Sequence, residues 1–274
     1  MTDLRVLTWN LRWNSAGRHA TTQADYLADT PWDIAMLQEV APGHWNALEA
    51  AGLTAGGMSA HHHADEDLRP QGKRPHGVAL LVRNGLTLDT FTTMPGMPWE
   101  GRGLGATLRG LDSPVSVASW HAPNAASSGP AIKMQGYLAL ISWIAAQPGT
   151  TVVGFDANHW EVDPSLELAI PTDGRDGWYL ENRFFGANPP HRLRDAYRDL
   201  LSRTPASDAR RTPEGEHGAL AVTYRRGRSE KSVGDRFDYI FMSDDLTCAD
   251  LVHDYPGGTL AGSDHAVVRA ALSR

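Results

Sequence analysis

Residues 151–160 read TVVGFDANHW. The apolar, β-branched opening Thr151-Val152-Val153 predicts a short strand, and Gly154 lets the backbone come close to whatever lies at the strand's end. Asp156 and Asn158 are thereby delivered to a loop, two residues apart, where both can face one cleft. There an acid positions a water and an amide donates to an anionic oxygen. The other residues of chemical interest read as completing this cleft.

Upstream, residues 131–146 set Tyr137, Leu138, Ile141 and Ile144 on one helical face, a packing helix that leads into the strand; Trp143 and Met134 read as core or partly buried surface. Four strands are expected before it, over residues 76–83, 86–91, 104–109 and 114–120, as a meander with Asn84-Gly85 as a hairpin turn. The last of them ends in SWHAPN, which sets His121 and Asn124 at a strand terminus beside Pro123. Because the strand before His121 is patterned like the one before Asp156, a catalytic histidine is favoured over a structural one.

Nearer the N-terminus, LRVLTWNLRWN reads as a strand ending at Asn10. A helix over residues 22–28 and a turn at Pro31 lead to the strand Asp33-Ile-Ala-Met-Leu-Gln-Glu39. A carboxylate at the end of such an apolar run is costly as core, so Glu39 reads as a metal ligand. A short helix is bracketed by Pro42 and Gly52. The run His61-His62-His63 with Asp65, Glu66 and Asp67 reads as a polar loop in preference to a zinc site, since consecutive histidines point in different directions.

Beyond Asn158 the next clear strand starts at Arg236, and the interval holds one short helix over residues 193–201 and a further strand over 218–224. From Arg192 to Lys231 ten Lys/Arg stand against six Asp/Glu, a local balance of +4. Arg225 and Arg226 lie in its densest cluster, which fits a substrate-phosphate surface and a solvated loop equally well. Asp238 interrupts the strand-like run Phe237–Phe241 and requires a partner, for which a histidine N–H is the cheapest. The chain closes with Gly262-Ser-Asp-His265 and a strand over 266–272, so that Asp264 can reach a metal while His265 meets Asp238.

The 274 residues, 41% hydrophobic and 21% charged, fit one soluble α/β domain spanning 1–274. A lone cysteine, Cys248, leaves no intrachain disulfide or cysteine metal cage and points to a reducing cytoplasm. MTDLRVLTWN lacks the marks of a signal peptide, and no run approaches the roughly 18 apolar residues of a membrane span. A net charge of −7 argues against a protein that coats nucleic acid, yet an acidic cleft awaiting a divalent cation is compatible with a nuclease.

Taken in order, WNLRWN, LQEV, HGVALLVR, SWHAPN, GFDAN, TY with DRFDYIF, and GSDH resemble the motif set of the endonuclease/exonuclease/phosphatase superfamily, the deoxyribonuclease-I-like proteins. The resemblance spans nearly the whole chain. It implies a four-layered α/β sandwich, two mixed β-sheets packed face to face with helices outside and catalytic loops at one edge. It also implies that Glu39 is the principal carboxylate ligand of Mg²⁺ or Mn²⁺, with Asn10 and Asp264 beside it. Asp238 would orient His265, which acts as general base or stabilises the attacking water. Asp156 would position the nucleophile or serve the leaving oxygen, while Asn158 and His121 donate to the phosphoryl oxygens. HGVALLVR offers no acidic partner for His121, a departure from the pattern.

The expectation is a metal-dependent phosphodiesterase acting on nucleic acid, with no membrane and no obligate protein partner. Hydrolysis of a small phosphate ester (a nucleotide, sugar phosphate or inositol phosphate) is the alternative. A non-catalytic binding protein on this scaffold and a zinc hydrolase using His61–His63 rank below both.

Overall fold

A computed structural model describes residues 3–54, 60–64, 76–158, 180, 183–186, 188–203, 222–225 and 234–274. The chain begins β1 (Leu4–Asn10), α1 (Ala16–Asp29), β2 (Ile34–Val40), α2 (Pro42–Ala50), β3 (Ala60–Ala64) and β4 (Gly77–Val82). It continues with β5 (Thr87–Thr93), β6 (Gly103–Arg109), β7 (Val115–His121), the short α3 (Ala125–Ser128), α4 (Pro130–Ala145) and β8 (Thr151–Asp156). β9 (Arg194–Asp195), α5 (Ala196–Arg203), β10 (Tyr224–Arg225), β11 (Gly234–Asp235), β12 (Asp238–Met242), β13 (Thr247–Asp254), α6 (Tyr255–Leu260) and β14 (Val267–Ser273) complete it.

Two six-stranded sheets result, one in the order β13-β14-β1-β2-β4-β3 and the other β5-β6-β7-β8-β12-β9. Each is mixed, with a central parallel pair, β1 with β2 and β7 with β8, flanked by antiparallel strands. Side-chain alternation builds the layers. Val6, Met36 and Leu80 of the first sheet meet Val117, Val152 and Ile240 of the second in a core between the sheets. Leu7, Trp9 and Leu37 point the other way onto Leu27 of α1 and Leu48 of α2. Trp120, Phe155 and Phe241 pack outward against Tyr137, Leu140 and Trp143 of α4. The architecture is therefore the expected four-layered α/β sandwich, and its central strands, apolar on both faces, read as continuous hydrophobic runs.

The sheets approach closely at Gly154, two residues before the end of β8. A Cβ on Gly154 would lie 2.6 Å from Met36 Cε and 2.8 Å from Thr8 Cβ, so only glycine fits. Buried Gln38 clasps the two sheets there: its Nε2 donates to Thr8 Oγ1 at 3.0 Å and to Ser119 Oγ at 3.0 Å, while Ser119 Oγ donates to Leu37 O at 2.9 Å.

Several boundaries differ from the sequence reading. The expected meander is divided between the sheets: β4 pairs with β2 and β3, whereas β5, β6 and β7 belong to the second sheet. Asn84-Gly85 is thus a crossing between sheets and not a hairpin, although both residues have positive φ. Arg83 anchors that crossing by stacking 3.7 Å over Trp32 and donating to Trp32 O and Leu27 O. His61–His63 form part of β3, opposite Leu80, Ala79 and Val78, in place of the expected loop. Asp65, Glu66 and Asp67 lie outside the described residues. On α4 the buried face carries Lys133, Tyr137, Leu140 and Ile144, while Leu138 is 49% exposed, because position 138 is rotated by about 100° from 137. β13 and α6 were not expected; acids at Asp250 and Asp254 interrupt the strand's apolar pattern. None of the described helices is long and apolar enough to cross a membrane.

Gly154→Ala is expected to cost about 1–3 kcal/mol through overpacking between the sheets. In thermal melts that corresponds to roughly 2–4 °C for each kcal/mol lost.

Candidate active site

Register brings the functional side chains of the second sheet into one row. His121 pairs with Asp156 across β7 and β8, and Asp156 pairs with Asp238 across β8 and β12. Trp120 and Phe155, one residue earlier, point into the outer core, so alternation turns the row toward the first sheet. Asn10, at the end of β1, answers from that side: its Nδ2 donates to Asp156 Oδ2 at 2.8 Å. The other Asp156 oxygen accepts the Asn158 N–H at 2.7 Å.

Asn158 has a left-handed backbone, φ 45°, which folds the chain back over the carboxylate. Lys133 of α4, buried, donates through Nζ to the Asn158 carbonyl at 2.7 Å and holds this turn from behind. The Asn158 amide donates to Ala122 O at 2.9 Å and lies 2.9 Å from His121 Nε2. Asn124 sits on the exposed rim, where its Oδ1 caps α3 through Ala126 N at 2.9 Å and its Nδ2 reaches Asn158 Oδ1 at 3.4 Å.

Strand alternation alone would point Glu39 at the outer helices, because its neighbours Gln38 and Asn10 already face the second sheet. A register shift between Leu37 and Val40, with φ 54° at Glu39, re-aims it into the cleft. Its Oε1 then lies 3.6 Å from His121 Nε2, and its Oε2 accepts the Trp13 N–H at 2.9 Å. The same turn binds Asn10, whose Oδ1 accepts the Arg12 N–H at 2.8 Å, and Asp264, whose carboxylate pairs with the Arg12 side chain at 3.4 Å. Asn10, Glu39 and Asp264 are therefore tied to one left-handed turn at Arg12, φ 60°. They offer hard oxygens of the kind Mg²⁺ and Mn²⁺ prefer.

His265 Nδ1 is 2.9 Å from Asp238 Oδ2 and its Nε2 is 4.0 Å from Asp156 Oδ2. Two hydroxyls fix the frame: Thr223 Oγ1 accepts from the Phe237 and Asp238 N–H groups, and Ser263 Oγ donates to Asn10 O at 2.6 Å while accepting from His265 N. Burial works against a charge on His265, but Asp238, Asp156 and Asp264 outweigh it and raise its pKa to about 10. Burial pushes the Asp156 carboxyl up to about 7, against the pull of His265. His121 has the opposite fate: burial, then Arg102, His76 and His265, press its pKa well below 6.5. Ligand atoms of Asp156, Asp238 and His265 lie within 4.8 Å of one another. A histidine that keeps its proton to about pH 10 is nevertheless a poor metal ligand. Within that trio only Asp238 and His265 share a hydrogen bond, at 2.9 Å, while Asp156 Oδ2 stands 4.0 Å from His265 Nε2; Asn10, Glu39 and Asp264 offer a separate set of oxygens.

Eight of the residues singled out in the sequence thus converge: Asn10, Glu39, His121, Asp156, Asn158, Asp238, Asp264 and His265. The side chain of Arg225 and the whole of Arg226 lie outside the described residues. Arg102, Lys133, His76 and the turn at Arg12 were not anticipated. Arg102 Nη1 contacts His121 Nδ1, and the Arg102 guanidinium lies 5.5 Å over the Trp99 ring. His76 stacks on Trp13 at 5.8 Å with its ring 6.5 Å from His121.

Among solved structures, D. rerio TDP2 complexed with single strand DNA product is similar over all of both chains, at 14% identity and a TM-score of 0.67. An endonuclease/exonuclease/phosphatase from Bacteroides vulgatus is similar over 100% of this chain and 99% of that one, at 18% identity and a TM-score of 0.66. The Xenopus laevis APE2 catalytic domain is similar over 98% of this chain and 91% of that one, at 19% identity and a TM-score of 0.66. No curated protein matches the sequence. The family model described as Endonuclease/Exonuclease/phosphatase family matches residues 7–265, and the chain belongs to that family.

Proposed function

We propose that this chain is a divalent-metal-dependent phosphodiester hydrolase that cleaves nucleic acid by in-line attack of an activated water. The observation that carries the reading is the 4.0 Å approach of Asp156 Oδ2 to His265 Nε2, a carboxylate that binds a proton near pH 7 facing an imidazole that keeps its own to about pH 10. Two titratable groups whose environments push their pKa values apart have divided roles. Asp156 takes the proton from the attacking water, whose oxygen forms the new bond to phosphorus as the ester P–O bond opposite it breaks. His265, held as imidazolium by Asp238, stabilises the charge that develops on the phosphoryl oxygens, and His121 and Asn158 donate to the same oxygens.

Asn10, Glu39 and Asp264 would hold Mg²⁺ or Mn²⁺. Glu39 suits this position because its side chain is 19% exposed and its Oε2 is anchored, leaving Oε1 turned to the cleft. Such an ion supplies neutralising charge and Lewis acidity to a phosphoryl oxygen. The reading needs no covalent enzyme intermediate.

Nucleic acid is favoured because one structural neighbour is complexed with a single strand DNA product and because Arg192–Lys231 carries a local +4. The net charge of −7 keeps a small phosphate ester as the second reading. Cleavage of DNA and RNA, run beside phosphate release from nucleotides and sugar phosphates, separates them. Polymer binding that weakens steeply with salt supports the first, since each phosphate contact releases counterions.

With Mg²⁺ or Mn²⁺ present, Glu39→Gln and His265→Ala are each expected to lower kcat by about 100-fold or more. EDTA should abolish cleavage. Full activity in both variants would remove these residues from the site.

The pKa pattern predicts a bell-shaped rate profile in the wild type, rising through about pH 7 and falling toward about pH 10. Asp238→Asn should draw the falling limb down toward the ordinary histidine range. Stability carries the same signature. The folded pKa of His265 lies above its unfolded value, so its contribution is fully present below pH 6.5 and is lost as pH rises through about 10. Urea midpoints between pH 6.5 and 10 should fall less in Asp238→Asn than in the wild type.

A further inference from the structure

The cleft holds two buried histidines with oppositely charged neighbours on their Nδ1 atoms. His265 Nδ1 meets the Asp238 carboxylate, whereas His121 Nδ1 meets the Arg102 guanidinium. Arg102 belongs to a single 3₁₀ turn, residues 100–102, that leads directly into β6. That strand pairs with β7 so that Gly103 stands opposite Trp120, which brings Arg102 beside His121 at the strand ends.

A guanidinium has five N–H donors and no acceptor. Contact between Arg102 and His121 Nδ1 therefore requires a lone pair on Nδ1, and in a neutral ring the single proton must then sit on Nε2. The surroundings of Nε2 make the same demand: Glu39 Oε1 lies 3.6 Å away and Asp156 Oδ2 3.5 Å away. Two contacts oppose it. Arg102 Nη1 also lies 3.4 Å from His121 Nε2, although its approach to Nδ1 is the nearer one. Asn158 Nδ2, 2.9 Å from His121 Nε2, is a donor that would prefer a lone pair there. That amide already donates to Ala122 O at 2.9 Å. The opposite tautomer would aim an N–H at a guanidinium and a lone pair at two carboxylates. The guanidinium against Nδ1 and the coulombic pull of the Glu39 and Asp156 carboxylates on a proton at Nε2 act in the same direction, against the Asn158 amide and the longer Arg102 approach.

We propose that Arg102 is a positioning residue that fixes His121 as the Nε2–H tautomer, so that a neutral N–H donor faces the reacting phosphoryl group. The position an acid would fill to make an imidazolium is filled here by a cation. The two histidines consequently do different work: His265 supplies charge, and His121 supplies one oriented hydrogen bond. The assignment rests on the functional reading above for the phosphoryl acceptor, whereas the tautomer is a property of the folded protein and is measurable without substrate.

Long-range ¹H–¹⁵N correlation spectra of the full chain, with and without Mg²⁺, report the tautomer of each histidine, and a His121→Gln spectrum assigns the His121 signals. Wild-type protein should show His121 in the Nε2–H pattern. Arg102→Met, which removes every donor, should give averaged or Nδ1–H shifts, with kcat falling roughly 10- to 100-fold and KM little changed. Arg102→Lys, an obligate donor, should keep the wild-type pattern and most of the activity. Amide spectra that overlay on the wild type show that each variant is folded. An Nδ1–H pattern in the wild type, or an unchanged pattern in folded Arg102→Met, would overturn the proposal. Wild-type protein that cleaves no phosphoester yet shows the Nε2–H pattern would reject the hydrolase reading and uphold the Arg102 assignment.

Discussion

The carboxylate of Asp156 is the point on which both sheets converge. It is almost fully buried, yet one oxygen accepts from Asn10, at the end of a strand in the opposite sheet, and the other accepts from its own loop at Asn158. An isolated buried carboxylate would be expelled or neutralised. Here His265 partly offsets that cost, so the charge survives but its proton affinity rises. The site thus depends on the sheets meeting in one register: a slip of one residue in β8 would turn Asp156 onto the aromatic core under α4. Gly154 and the Gln38 clasp oppose that slip because they need close contact between the sheets at a single depth.

Departures from regular backbone do the aiming. Arg12, Glu39 and Asn158 all have positive φ without being glycine, and all three border the cleft. Left-handed backbone at ordinary residues costs of order 1–3 kcal/mol each, and it persists where surrounding structure over-determines it. That support is visible in the Trp13 N–H on Glu39, the Arg12 N–H on Asn10 and the Lys133 ammonium on Asn158 O. Regular strands deliver the polar side chains to one edge, and these three irregular residues turn them toward one another.

The edge itself was legible in the sequence, since Asn10, His121 and Asp156 each follow a β-branched or aromatic run too apolar to end in a polar group by accident of packing. Asp238 and His265 were legible as a pair because a buried acid needs a cation. The orientation of Glu39 was not, since a bulge leaves no mark on the alternation that precedes it. Arg102 was equally hidden: its stretch of Pro, Gly, Met and Trp has no period, and its partner is reached only through the pairing of β6 with β7. The sheet to which β4 belongs was misread for a related reason. Asn84-Gly85 carries the dipeptide of a hairpin, but Arg83, stacked on Trp32, commits the strand before it to the first sheet. Nothing local records that commitment.

The strand order also governs how the molecule assembles. The second sheet takes β5 to β9 and β12, with β10 and β11 between them forming a two-stranded sheet of their own, whereas the first draws β1 to β4 from earlier in the chain and β13 and β14 from later. During synthesis the second sheet can close while β1 still lacks its antiparallel neighbour, since Leu4 pairs with Leu272. An apolar strand with one edge bare is a site for pairing with other chains, and contacts between distant residues form slowly. A chain made only as far as β12 would leave β1 with one edge unpaired. Asp264 and His265 lie just ahead of β14, so the strand that covers the edge of β1 is also the one that brings these two residues to the cleft.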